Sequence, residues 1–367
     1  MIRYRIAILD GFRAIAILTV MFFHFFSRWT PPLNNVSLYP YGSKYDYFGF
    51  GYYGVTFFFI ISGFVIFFTL DNTTYFASFW KKRMIRLVPS IIMASLLTFI
   101  VLVLFDNAYL FPGSHEARNF LPSWTFITPE FFNRFSRLDF GYIDGSYWSL
   151  WPEIQFYFLS SIIFYLNKKK FVRNFVLLSF LLIITDHLFM NVIDPTGNGT
   201  LSRAAVNYKL WIHDIFNLVS YLAFFSMGVL FYLLFKNKNN GIKISFSTIL
   251  CSAVLLICTF YNTSLQVIIF YCMMYLLFLC FIYYPRLLAV FENKLLVNIG
   301  ICSYFLYLIH QNLGVFLINK LGPYFSPVSV VFTLLLFVIL IWLSRLYTEK
   351  IDKPVTRSLK KMVVIKD

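Results

Sequence analysis

The sequence predicts an all-α, polytopic membrane protein of about ten transmembrane helices with both termini in the cytoplasm. Three observations predict it. Hydrophobic residues make up 59% of the 367 residues and charged residues only 13%, against about 25% charged in a soluble domain. Apolar runs of about twenty residues recur along the chain, the length a helix needs to cross a bilayer. They are too uniformly apolar for barrel strands, and helices satisfy their own backbone hydrogen bonds in lipid. Finally, the basic residues segregate by connector. A formal charge of +15 in a soluble protein would suggest nucleic acid. Here it follows topology and implies no nucleic-acid partner.

The spans fall at roughly 6–28, 50–70, 87–105, 147–166, 174–193, 211–235, 244–261, 264–284, 299–319 and 327–347. Both ends and alternate connectors hold 22 basic residues, the opposite connectors 8, and Arg13 lies inside a span. That asymmetry places both termini inside. The first span is longer than a signal-peptide core and lacks a small-residue cleavage site, so it is expected to remain as a helix. The outer connectors 29–49, 106–146 and 194–210 are long and aromatic, punctuated by Pro31-Pro32, Pro112-Gly113 and Pro195-Thr196-Gly197. Loops longer than connection requires tend to bind something, so a binding partner is expected on the outer side. Cys251, Cys258, Cys272, Cys280 and Cys302 all fall in spans, without metal-ligand spacing or need of a disulfide. The chain reads as one membrane domain, residues 1–348, and a short basic cytoplasmic tail, 349–367.

Span by span, few residues carry chemistry. Arg13 and His24 are eleven residues apart, about three turns plus 20°, so they share a helix face about 16 Å apart. Ionisable residues within a span usually face protein or a wet cavity, although both side chains also suit snorkelling to opposite headgroup layers. Asp10 pairs in register with Arg13 at i, i+3. In the second span, Ser62-Gly63 suits close helix packing. Arg83 and Arg86, again at i, i+3, form either orientation charge or a phosphate clamp. Pro152 fits the first turn of the fourth span, and Glu153 either favours that helix N-terminus or stands beside His24 at similar depth. A carboxylate there would raise the basicity of the imidazole. His310 falls just past the middle of the ninth span and reads as a packed core histidine, a pore-lining group or a catalytic one. His115, His187 and His213 lie on or near outer segments with no partner pattern. No HExxH, paired cysteine ligands, Walker loop or GxSxG is present, so no metal is expected.

Taken in order, Leu9-Asp10-Gly11-Phe12-Arg13-Ala14-Ile15-Ala16 with His24, Gly54 through Ser62-Gly63-Phe64, and Arg83-Met84-Ile85-Arg86-Leu87-Val88-Pro89 resemble the membrane-bound acyltransferase family 3. So do Trp148-Ser149-Leu150 with Glu153 and Phe156-Tyr157, Ser303-Tyr304 through His310-Gln311, and Glu349-Lys350 with Pro354. The resemblance covers nearly the whole chain. Thr56 departs from it, where the family commonly has Asp, and so does Trp151-Pro152, which suggests a shifted helix start. The resemblance implies transfer of an acyl group, usually acetyl, from cytoplasmic acyl-CoA to a sugar hydroxyl of a surface or lipid-linked glycan, such as lipopolysaccharide O-antigen or exopolysaccharide. The setting would be the outer face of the bacterial inner membrane, and the short tail resembles the stand-alone class of the family. It implies His24, Glu153 and Arg13 as catalytic residues. Arg13, Arg83, Arg86, Ser62 and His310 would hold the donor, and Trp148 and Tyr157 the acceptor. Acetyl-CoA, the glycan and membrane lipid are the expected partners. The competing reading is a transporter or flippase of a glycan or lipid-linked sugar. It explains buried charge as a substrate path but lacks matched broken helices or an inverted repeat.

Overall fold

The computed structural model describes residues 7–27, 42–197, 199–261, 263–325 and 329–362. Every regular element among them is helical. Arg3, Arg5, Arg28, Lys366 and the Pro31-Pro32 pair lie outside the described residues.

α1 (Ala7–Phe22) ends in a π-turn, Phe23–Ser27, that carries His24. A 3₁₀ stretch kinked at Tyr45 leads into α2 (Gly54–Asp71), which is apolar around its whole circumference and therefore central. α3 (Phe76–Phe105) starts before the sequence-based boundary of 87 and runs through Pro89. The missing N–H of Pro89 costs one helical bond, but the helix continues, so Arg83 and Arg86 stand on the span itself and not on a loop. Short helices α4 (Phe120–Thr125) and α5 (Pro129–Phe135) precede α6 (Leu150–Leu166), whose first turn holds Pro152.

α7 (Phe171–His187) ends in a π-turn and is followed by α8 (Thr200–Tyr208). The sixth expected span, 211–235, is corrected: irregular turns occupy its first part, and α9 runs over Leu222–Asn239. α10 (Phe246–Phe260) and α11 (Leu265–Tyr283) follow. The expected span 299–319 is broken in two, α12 (Lys294–Ile309) and α13 (Asn312–Leu321), with His310-Gln311 at the break. α14 (Ser329–Tyr347) passes through a π-turn into the basic, strongly amphipathic α15 (Lys353–Met362), so the helix continues into the tail.

Among the described residues six helices are long and apolar enough to cross a membrane. A seventh joins Pro285–Glu292 to α12 through a 74° bend. The difference from ten lies in α6, α9, α10 and the two halves of the broken span, each shorter than the roughly twenty residues a crossing requires.

Two close helix pairs form the centre, α2 with α9 and α1 with α12. Glycine permits both. A Cβ on Gly63 would lie 2.2 Å from the Phe225 carbonyl oxygen, and one on Gly300 1.9 Å from that of Asp10. Backbones this close gain packing that lipid-facing side chains do not provide. The first two spans are 67% and 72% buried, whereas the span containing α7 is only 17% buried and forms the rim.

Candidate active site

A cleft of about 730 Å³, partly open to solvent, lies between α1, α2, α3, α6 and α12. Arg13, Arg83, Arg86, Ser62, Glu153 and Tyr157 all line it. Six residues spread over 144 positions of sequence, each expected to carry chemistry, thus meet in one space.

Its charged end is built by short polar contacts. The Arg13 Nη1 donates to Asp10 at 2.8 Å. Arg83, 6% exposed, donates from Nη2 to Thr69 Oγ1 at 2.6 Å and lies over the rings of Phe79 and Tyr157. Its planar cation suits both the hydroxyl and the aromatic faces. Arg86, one turn further along α3, is exposed. Glu153 accepts from Ser62 Oγ at 2.8 Å and from the Tyr157 hydroxyl. Ser62 is the ninth residue of α2, roughly 12 Å along its axis, so Glu153 is anchored well inside the span.

Glu153 is therefore not beside His24. A half-buried carboxylate settles where donors satisfy it, and the Ser62 and Tyr157 hydroxyls do so here. His24 instead meets His310: His310 Nε2 lies 3.0 Å from His24 Nδ1. The His310 Nδ1 is 2.7 Å from the carbonyl oxygen of Tyr307, and the His24 Nδ1 is 3.1 Å from that of Val20. His310 is fully buried and His24 partly so. Neither imidazole is among the cleft-lining groups. Tyr307 is, and its ring packs on His310 with centroids 5.3 Å apart. Its hydroxyl meets Ser149 Oγ at 2.7 Å, closing the far end of the cleft.

Trp148 does not line the cleft either. It stacks at 15° on Tyr52, which packs edge-on to Phe23 next to His24. Thr56 is buried and hydrogen-bonded to Tyr271.

The helix break at His310 is held from the connector that precedes α6. Asp144 accepts from the Asn312 backbone N–H at 2.9 Å and from the N–H and hydroxyl of Ser146. Asn312 donates in turn to Ser114 Oγ at 2.9 Å. These side chains replace helical bonds that the break removes, which makes a broken span tolerable. Burial pushes the Asp144 carboxyl up to about 6. Tyr307, Asp144 and Asn312 were given no role in the sequence, and Tyr304 entered only within the Ser303-Tyr304 motif. The signal was there for the two tyrosines: with His310 they form an i, i+3, i+6 series along one helix face.

A profile of the acyltransferase 3 family, described as an acyltransferase domain, matches residues 6–346. The chain belongs to that family. Within the acyltransferase 3 family, relatives include O-acetyltransferase OatA of Staphylococcus aureus (strain NCTC 8325 / PS 47), 25% identical over 198 residues covering 50% of this chain and 29% of that protein. YrhL of Bacillus subtilis (strain 168), a name provisionally attached to peptidoglycan O-acetylation, is 29% identical over 207 residues, 52% of this chain and 29% of its own length. The matched segments thus span under a third of these relatives. No solved structure matches.

Proposed function

We propose that this acyltransferase 3 member is a multi-pass O-acyltransferase of the bacterial inner membrane. It moves an acetyl or other acyl group from cytoplasmic acyl-CoA to a sugar hydroxyl of a surface or lipid-linked glycan at the outer face. The observation that carries this reading is the meeting of Arg13, Arg83 and Arg86 in one intramembrane cleft whose far end abuts the His310–His24 pair. Guanidinium groups suit the phosphates of a coenzyme A donor. The apolar cleft walls suit its thin pantetheine arm. The names of the relatives favour an O-acetylated glycan, with peptidoglycan beside O-antigen and exopolysaccharide as acceptor.

His24 acts as the general base. It takes the proton of the sugar hydroxyl while that oxygen attacks the thioester carbonyl. The C–O bond forms, the C–S bond breaks, and the imidazolium returns its proton to the departing thiolate. An acyl-imidazole on His24 is the alternative route. Glu153 holds the cationic end together, and both termini are cytoplasmic, which places the arginines toward the donor.

Membranes carrying the protein, incubated with labelled acetyl-CoA, should yield alkali-labile acetyl on glycan. His24→Ala should reduce this at least roughly 10³-fold while the protein still inserts. Wild-type transfer by His24→Ala would overturn the base assignment. Movement of glycan across the membrane without acetylation would favour a transporter.

A further inference from the structure

We propose that His310 is a positioning residue: it fixes His24 in the tautomer that leaves His24 Nε2 unprotonated and free to act as base. This rests on the reading of His24 as the base, and it moves His310 out of the donor-binding set in which the sequence placed it.

The argument is one of donors and acceptors. A carbonyl oxygen only accepts. The Tyr307 carbonyl, 2.7 Å from His310 Nδ1, therefore requires a proton on that nitrogen. The Val20 carbonyl, 3.1 Å from His24 Nδ1, requires one there. Between the rings His24 Nδ1 faces His310 Nε2 at 3.0 Å. With His24 Nδ1–H as donor, His310 Nε2 must be the acceptor, so His310 is neutral. The proton of neutral His24 is thus already assigned to Nδ1, and its Nε2 keeps a lone pair. No described residue hydrogen-bonds to that Nε2. The Tyr307 carbonyl at the outer nitrogen of His310 and the Val20 carbonyl at His24 Nδ1 reach the same assignment independently, the single His24 Nδ1–H being shared between the Val20 oxygen and His310 Nε2.

The fold supports the arrangement. Tyr307 O also accepts from Ser146 Oγ at 3.1 Å, and Ser146 is held by Asp144, which also holds the start of α13. The helix break therefore sets His310 at a fixed angle to His24, with ring centroids 4.9 Å apart at 61°. A base is oriented by a third group in other hydrolase and transferase sites, usually a carboxylate. Here a neutral imidazole anchored on a backbone carbonyl does that work. When His24 takes the acceptor proton at Nε2, its Nδ1–H remains bonded to His310 and the cation is held in place.

The test uses the full-length protein in native membranes, with two substitutions and two readouts. His310→Leu removes the acceptor and should lower kcat roughly 10²-fold at unchanged KM for acetyl-CoA. His310→Gln places an oxygen acceptor near the lost Nε2 and should restore kcat to within about tenfold of wild type. Nitrogen-15 spectra of histidine-labelled protein, with the His24 signal assigned by difference against His24→Ala, should show His24 protonated at Nδ1. In His310→Leu they should shift toward Nε2–H. A wild-type kcat in His310→Leu, a selective rise in donor KM, or a wild-type His24 protonated at Nε2 would each overturn the proposal. The wild-type spectrum decides it even if His310→Leu fails to fold. Should His24→Ala retain transfer, the base assignment falls, while the spectra still report whether His310 sets the tautomer.

Discussion

Four of the five histidines form pairs of two different kinds. His115 meets Asp106 at 3.2 Å and His213 meets Asp186 at 2.9 Å, each an imidazole beside a carboxylate and neither among the residues lining the cleft. His24 and His310 meet each other, and their remaining hydrogen-bond partners are backbone carbonyls. A neighbouring carboxylate favours the imidazolium, whereas carbonyls specify which nitrogen of a neutral ring carries the proton. The carboxylate that might have joined the inner pair, Glu153, stands with Arg13 and Arg83 at the other end of the cleft. The molecule thus separates charge binding from proton transfer along one passage. The predictions below are arranged to break that separation.

The largest effect is expected from Arg83→Ala with Arg86→Ala. Each charge-assisted contact to a phosphate is worth about 1.5–3 kcal/mol, so the donor KM should rise roughly 10²-fold or more. The kcat should stay within a few-fold. Steady-state kinetics over a range of acetyl-CoA separates the two, and a collapse of kcat at constant KM would place the arginines in the chemistry.

Glu153→Gln asks the converse. Gln keeps an oxygen for Ser62 and Tyr157 but no charge. If the carboxylate belongs to the arginine end, kcat should change less than about tenfold. Arg83→Met, which strips a buried cation from beside it, should lower the melting temperature, and adding Glu153→Gln should recover part of that loss. Uncompensated buried charge is the costly component. A 10³-fold fall in kcat for Glu153→Gln alone would return it to the side of His24.

How much of this was legible in the chain depends on what the periodicity encodes. The all-helical class and the two most buried spans, those of α1 and α2, followed from apolar run length, because lipid forces that solution on the backbone. Arg83 and Arg86 were legible as a pair because i, i+3 spacing is local. The partner of Glu153 was not: Ser62 is 91 residues away, and depth estimated from span boundaries placed His24 nearer. The Asp186–His213 pair was hidden for the same reason, since it is brought together by the packing of α7 against the irregular turns before α9. The break at His310-Gln311 left no mark, because Asn312 is an ordinary residue until Asp144 takes its N–H.

A moderate effect is expected at Asp144. Its carboxyl is raised from 3.8 to about 6 by burial, so the folded state holds a proton that the unfolded chain has released. The associated stability is complete below pH 3.8 and is lost as pH rises through about 6, a loss of roughly 3 kcal/mol. Thermal melting should therefore decline between pH 4 and 6.5 in the wild type and flatten in Asp144→Asn. That variant should also be less stable by about 1–3 kcal/mol, because an amide has a single accepting oxygen and cannot accept from both the Asn312 N–H and Ser146. An unchanged slope would mean that some other group dominates titration in that window.

The smallest effect sharpens the comparison most directly. The hydrogen bond to Asp186 raises the His213 imidazole above its ordinary value. That stabilisation is present below about pH 6.5 and fades as pH rises through the elevated value. Both side chains are partly exposed, at 28% and 18%, so solvent screening limits the pair to under about 1 kcal/mol. Asp186→Asn should then shift melting slightly at pH 6 and not at pH 9, and leave acetyl transfer within about twofold. A large loss of transfer would mean that the His213–Asp186 pair also takes part in the reaction, and that proton transfer is not confined to His24 and His310.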